Sequence, residues 1–244
     1  MKSDASILPK LWTLPESIRS RLGREPGPQR AMLEDGHLLI ILHQLPGPDD
    51  HQRKPALFWR SPEGEWKTNL QGNGLTGLSD HLRLFDTTLT ALEEEENRAR
   101  LATEYHDVLE KLGPVLRTSR GLHRALQQAR ELVKTERELI NMRDQAAGIE
   151  RNAELLLQDA QFGLNFTVAR QAEAQAVSAR QMAATAHRLN LLAAMFLPLT
   201  ALASVFGMNL HHGMADTTIN FWLVCSSGLL LGMVVMGILG KRSG

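Results

Sequence analysis

Apolar positions change rhythm twice along this chain. As far as residue 77, short apolar runs alternate with Pro and Gly pairs, as in Pro26-Gly27-Pro28, Pro46-Gly47-Pro48 and Gly72-Asn73-Gly74, which mark turns. Residues 37–45, HLLIILHQL, form a compact apolar run between turn signals and predict a buried strand. Residues 56–59 and 65–70 predict two more strands, and residues 16–22 predict one or two turns of helix. Together these elements predict a small N-terminal α+β domain over residues 1–78.

From Ser79 the punctuation stops and the period lengthens. Leu82, Phe85, Leu89 and Leu92, then Leu101, Tyr105, Val108, Leu109 and Leu112, recur at three-and-four spacing, one apolar face of a long amphipathic helix. Gly113-Pro114 predicts its end, because Pro starts a helix more readily than it continues one. A second helix is predicted over residues 115–142, with a weak interruption near Gly148. The acidic run of residues 93–96 reads as a cation-sensing site or as a solvated helix face, and the solvated face is the commoner meaning of such a run.

Beyond Gly148 no Pro occurs until Pro198, and Leu155, Leu156, Phe162, Phe166, Ala169, Ala172, Ala176, Ala179, Ala183, Ala186 and Leu189 keep a helical phase. The pattern predicts one helix over residues 150–206, about 85 Å long against a bilayer core of ~30 Å. Residues 79–188 are therefore predicted to form a cytoplasmic helical stalk. Its Ala-rich face from Phe166 to Ala194 suits close backbone approach, which requires an oligomer or an antiparallel partner helix.

Composition sharpens this division. Charged residues make up 22% of the chain, yet there are none from Leu189 to Ala215 and none from Thr217 to Gly240. Residues 189–244 thus predict a transmembrane region, with a first span at about 189–209, an outer loop at 210–220 and a second span at about 221–240. The fold class expected is a mainly α membrane protein with a small N-terminal α+β domain, its stalk helix continuing into the first of two C-terminal spans. Gly228, Gly232 and Gly237 suit tight packing of the second span. Arg180 and Arg188 precede the first span and Lys241-Arg242 close the second, whereas the loop carries no Lys or Arg. The positive-inside rule then puts both termini in the cytoplasm. No apolar core follows Lys2, so no cleavable signal peptide is predicted.

Net charge is zero and no basic stripe is interleaved with aromatics, which argues against a nucleic-acid partner. The single cysteine, Cys225, excludes an intramolecular disulfide and a Cys cluster within one chain. No P-loop, nucleophile elbow or metalloprotease helix occurs, so neither an enzyme nor a cofactor is expected. Polar residues at membrane depth carry more information. Asn190, Thr200 and Ser204 either bond back to their own helix or, with Leu197 and Asn209, make one face toward a bundle interior or a water path. Pro198 permits a bend.

Gly207-Met208-Asn209 closing a first span, Phe196-Leu197-Pro198-Leu199-Thr200 ahead of it, a long charged helix leading in and a short second span ending in basic residues resemble the CorA family of magnesium channels. The resemblance is specific over residues 188–242 and architectural for the N-terminal portion. It implies a homopentamer in the inner membrane, its first spans lining a pore and its second spans forming an outer ring. Gly207, Met208 and Asn209 would then form the selectivity filter, with Asn209 holding a hydrated ion through neutral amide oxygens. Leu189, Asn190, Leu197, Thr200 and Ser204 would line or gate the pore, Leu189 and Leu197 as apolar constrictions. Two departures stand out: Phe206 replaces the commoner Tyr, and the outer loop has Asp216 as its only acid, with His211-His212 after the motif. The histidines are chance loop residues or ligands for softer ions. The expected cargo is Mg²⁺, with Zn²⁺, Co²⁺ or Ni²⁺ as the alternative. A non-conducting, membrane-anchored coiled-coil scaffold is the rival from another class.

Overall fold

The computed structural model describes residues 7–47, 53–208 and 217–242. They divide into two compact units, residues 1–169 and 170–244.

In the first unit a four-stranded antiparallel meander, β1 (Arg30–Glu34), β2 (His37–His43), β3 (Pro55–Arg60) and β4 (Trp66–Thr68), follows a single helical turn, α1 (Glu16–Arg19). The strands predicted from residues 37, 56 and 65 onward are present, and β1 is additional. The signal for β1 lies in its turn. Glu34 pairs with His37 across Asp35 and Gly36, whose φ values of 49° and 77° match a type I′ hairpin turn, for which Asp-Gly is a favoured pair.

The HLLIILH run is apolar throughout because both sheet faces are covered. Leu38, Ile40 and Leu42, with Ala56 and Phe58, pack on the helices. Leu39, Ile41, Leu57 and Trp59 pack on Trp12, Leu14 and Ile18 of the N-terminal segment. Side chains on a strand alternate between faces, so an apolar run reports two partners rather than one. The edge strand β1 is stitched to a helix. The Gln29 side chain donates to Thr118 O at 2.8 Å and accepts from His43 N at 3.2 Å, while Ala31 N donates to Gln128 Oε1 at 3.0 Å.

Helix α2 (Gly74–Arg98) buries Leu78, Leu82, Phe85, Leu89 and Leu92 against the sheet. The helix end predicted at Gly113-Pro114 is not there. Helix α3 (Ala102–Leu132) runs straight through Pro114, because Leu112, Val115 and Leu116 are all held in one core and their burial outweighs the single hydrogen bond that Pro removes. The break falls at residues 99–101 instead. There Glu104 accepts hydrogen bonds from the backbone N–H groups of Arg100 at 2.6 Å and Leu101 at 3.0 Å, and these bonds hold its carboxyl below the usual range. Leu101 accordingly lies exposed in the turn rather than on a core face.

No interruption occurs at Gly148. Helix α4 spans Glu138–Gly207, 70 residues, starting before the predicted residue 150. The preceding turn is tied down by a half-buried ion pair, Arg60 Nε to Glu136 Oε2 at 2.8 Å. Helix α5 (Thr218–Arg242) completes the second unit. The protein is thus a mainly helical chain with a small N-terminal antiparallel sheet, one long helix and an apolar C-terminal helix.

Candidate functional site

Two helices, α4 in its last turns and α5 over Thr218–Ile238, are long and apolar enough to cross a membrane. Within the second unit they pack through small residues. A Cβ at Gly228 would press on Leu199 and Leu202, and one at Gly232 would stand 2.5 Å from the backbone oxygen of Met195. Ala194, in the same stretch of α4, is buried. Glycines four apart let two backbones approach, which is how helices associate where lipid removes the hydrophobic drive. Gly237 does not take part: a Cβ there would meet nothing within 4 Å. Of the three glycines expected to suit close packing, Gly228 and Gly232 share the stripe that meets α4, and Gly237 lies off that stripe.

This contact divides the surface of α4. Met195, Leu199 and Leu202 face α5, and at 3.6 residues per turn Asn190, Leu197, Thr200 and Ser204 fall within about 80° of one another on the opposite side. All four are exposed, as are Ala193 between them and Leu189 at the margin of the stripe. The Thr200 hydroxyl donates back to its own helix, to Phe196 O at 3.1 Å and Leu197 O at 3.0 Å. Its proton is thereby satisfied within the span, while its oxygen stays open on the exposed face. Helix α4 continues through Pro198 and ends at Gly207, with Met208 exposed beyond it. Asn209, His211, His212 and Asp216 lie outside the described residues, and with them the expected asparagine ring and histidine pair. Cys225 is a free, half-buried thiol on α5.

The acidic run on α2 resolves into ordinary partners. Glu94 pairs with Arg98 at 2.6 Å and Glu95 with Lys111 at 2.7 Å. The Glu96 carboxyl is raised by burial and then by the neighbouring charges of Asp159 and Glu93. Among the described residues no group of three or more His, Cys, Asp or Glu side chains is placed to hold a metal ion. The stripe presents hydroxyl and amide oxygens without fixed charge.

No curated protein matches the sequence. Among solved structures the chain is similar to the CorA magnesium transporter from Methanocaldococcus jannaschii, with 15% identity, 90% of this chain and 80% of that one covered, and a TM-score of 0.43. It is also similar to the ZntB cytoplasmic domain from Vibrio parahaemolyticus, with 12% identity, coverage of 66% and 80%, and a TM-score of 0.49. The full-length CmaX protein is a third, with 15% identity, coverage of 95% and 82%, and a TM-score of 0.49. The family model described as "CorA-like Mg2+ transporter protein" matches residues 73–241, from the start of α2 almost to the end of α5. With more than half of its length matched, the chain belongs to the CorA-like Mg²⁺ transporter family.

Proposed function

We propose that this membrane protein is a passive divalent-cation channel, with Mg²⁺ as its principal ion, and that it works as a homopentamer in the inner membrane. The observation that supports this reading is the exposed stripe of Asn190, Leu197, Thr200 and Ser204 on the side of α4 turned away from α5. Polar groups at membrane depth occur where they face a water path or a bundle interior, and a single copy leaves this stripe without one. Copies arranged with α4 inside and α5 outside supply it. Asn209 then rings the outer mouth, following Gly207 and Met208. Neutral amide oxygens suit an ion that gives up its waters reluctantly, since they hydrogen-bond the hydrated ion without demanding dehydration. Leu197 and Leu189 supply apolar constrictions that gate by dewetting. Both termini lie in the cytoplasm, following the placement of Arg180, Arg188 and Lys241-Arg242.

The test is uptake by liposomes that carry the purified protein and a Mg²⁺-sensitive dye. Wild type should exceed empty vesicles, and Asn209→Ala should change the ratio of Mg²⁺ to Ca²⁺ flux by roughly tenfold. Flux no greater than that of empty vesicles sinks the channel and leaves the membrane-anchored scaffold. His211-His212 favour a second reading, transport of Zn²⁺, Co²⁺ or Ni²⁺, because imidazole suits those ions. Loss of Zn²⁺ flux with Mg²⁺ flux intact in His211→Ala/His212→Ala would decide for it.

A further inference from the structure

Within the second unit the contact between α4 and α5 fixes an antiparallel register. Gly228 stands against Leu199 and Gly232 against Met195, so four residues forward on one helix match four residues back on the other. Carried nine residues further, ~13 Å at the helical rise, the same register brings Lys241 level with residue 186 of α4. Arg188 and Lys241-Arg242 therefore close the pair at one end, and each borders the uncharged stretch of its own helix. Arg188 also falls on the side of α4 turned to α5. It precedes Met195 by seven residues and Leu202 by fourteen, which keeps it within about 40° of their direction.

Charge in the first unit is compensated, and here it is not. Arg60, Arg98, Lys111 and Arg120 each pair with a glutamate. The chain as a whole balances 27 Lys and Arg against 27 Asp and Glu, yet after Glu173 its bases are Arg180, Arg188, Lys241 and Arg242 and its one acid is Asp216, beyond the opposite end of the spans. The positive-inside rule asks only for an excess of bases on one side of the membrane. It does not ask two packed helices to bring their bases to one level with no acid among them.

We propose that this end of the α4–α5 pair binds the headgroup phosphate of an anionic phospholipid, with Arg188, Lys241 and Arg242 supplying the positive charge. The inference rests on the reading of the two helices as membrane spans and is independent of the channel and of the number of copies. The bases stand where the uncharged stretches begin, which is the depth of lipid phosphates. A guanidinium suits that group because its planar fork donates two parallel hydrogen bonds to phosphate oxygens. What selects a lipid over a free phosphate is the neighbouring surface. Leu192, one turn into the span from Arg188, and Ile238, one turn in from Lys241, are exposed and offer an apolar surface to acyl chains. A soluble anion would gain nothing from them.

The test titrates the full chain in detergent with phosphatidylglycerol or phosphatidylcholine and counts bound lipids by native mass spectrometry. Phosphatidylglycerol should bind the more tightly. Arg188→Gln should weaken it roughly fivefold and Arg188→Gln/Lys241→Gln/Arg242→Gln roughly a hundredfold, while Arg188→Lys, which keeps the charge, stays within about twofold of wild type. Arg170→Gln is the control. It removes a base from the same helix ~27 Å from Arg188 and should leave binding within about twofold. Equal affinity for the two lipids, or a triple variant that binds as wild type does, overturns this inference alone. So does displacement of the lipid by glycerol phosphate at matched concentration, which would make the site one for a soluble anion. Release of the protein from membranes by alkaline carbonate overturns the two-span reading and this inference with it.

Discussion

The two units of the chain hold their helices by opposite means. In the unit of residues 1–169, large side chains fill the space between helix and sheet: Phe58, Phe85, Leu38, Leu42, Leu78 and Leu82 are fully buried. In the unit of residues 170–244 the contact is made by absence, with Gly228 and Gly232 letting α5 close on Leu199, Leu202 and the Met195 backbone. Water explains the difference. Where water is the alternative, each buried Leu or Phe contributes roughly 1.5–3 kcal/mol by leaving it. Where lipid is the alternative that term vanishes, and only close packing distinguishes one helix partner from another. The same helix, α4, takes part in both: Leu139, Ile149 and Leu156 are buried in the core of the first unit, while in the second Met195, Leu199 and Leu202 meet the glycines of α5.

The largest expected effect tests the first regime. Phe58→Ala should destabilise the unit of residues 1–169 by about 3–5 kcal/mol, since the ring has no exposed surface and the sheet around it cannot collapse into the gap. Three of the four tryptophans, Trp12, Trp59 and Trp66, lie in or beside this sheet, so denaturant unfolding followed by fluorescence reports on it. A change below about 1 kcal/mol would mean that the sheet is not the core of this unit.

Acid should come next. His81 is 4% exposed, with Nε2 3.1 Å from His43 O, and burial pushes it down to about 4 against a partial upward pull from that carbonyl. His43 is also lowered by burial, opposed by the Gly27 carbonyl and assisted by Arg53. With the folded value below the unfolded one near 6.5, the unfolded chain takes up the proton first. Stability is therefore complete above about pH 6.5 and falls by roughly 3 kcal/mol as the pH drops toward 4. His81→Gln should flatten much of that slope, His43 accounting for the remainder. A slope equal to that of wild type would place the acid sensitivity elsewhere.

The second regime is tested by adding atoms rather than removing them. Gly232→Leu places a side chain where the Met195 carbonyl stands and should cost about 1–3 kcal/mol of α4–α5 pairing, whereas Gly237→Leu, with open space around it, should cost almost nothing. Trp222 fluorescence in detergent reads the pairing, and the sheet transition should not move in either variant. Equal effects at the two glycines would remove the packing role of Gly232.

The same contrast separates features that local sequence encodes from those that only tertiary packing decides. Strands β2 and β3 are legible in the sequence because apolar runs bounded by turn residues have few other meanings, and the membrane helices are legible because charge is absent from them. β1 is equally legible in principle, through Asp35-Gly36, but its own five residues, RAMLE, carry little β preference. The end of α2 is not legible. Its turn depends on the Glu104 carboxylate reaching two backbone donors, while the louder local signal, Gly113-Pro114, is overridden by the burial of its neighbours. The stripe of Asn190, Leu197, Thr200 and Ser204 follows from helical period alone, but which side of α4 meets α5 does not. That side is set by Gly228 and Gly232, and not Gly237, making the contact.

The smallest expected effect on stability is also the sharpest probe of that stripe. The Thr200 hydroxyl donates only to carbonyls of its own helix, so Thr200→Val keeps the side-chain shape and should change unfolding by no more than about 0.5 kcal/mol. Flux need not follow stability. If the exposed stripe faces water inside an oligomer, Thr200→Val exchanges an accepting oxygen for a methyl at the narrow part of the path and adds to the apolar constriction at Leu197. Mg²⁺ uptake should then fall while unfolding and native mass stay at wild-type values. Uptake unchanged beside unchanged stability would mean that the hydroxyl serves its own helix alone, and the water path would have to run along some other face of α4.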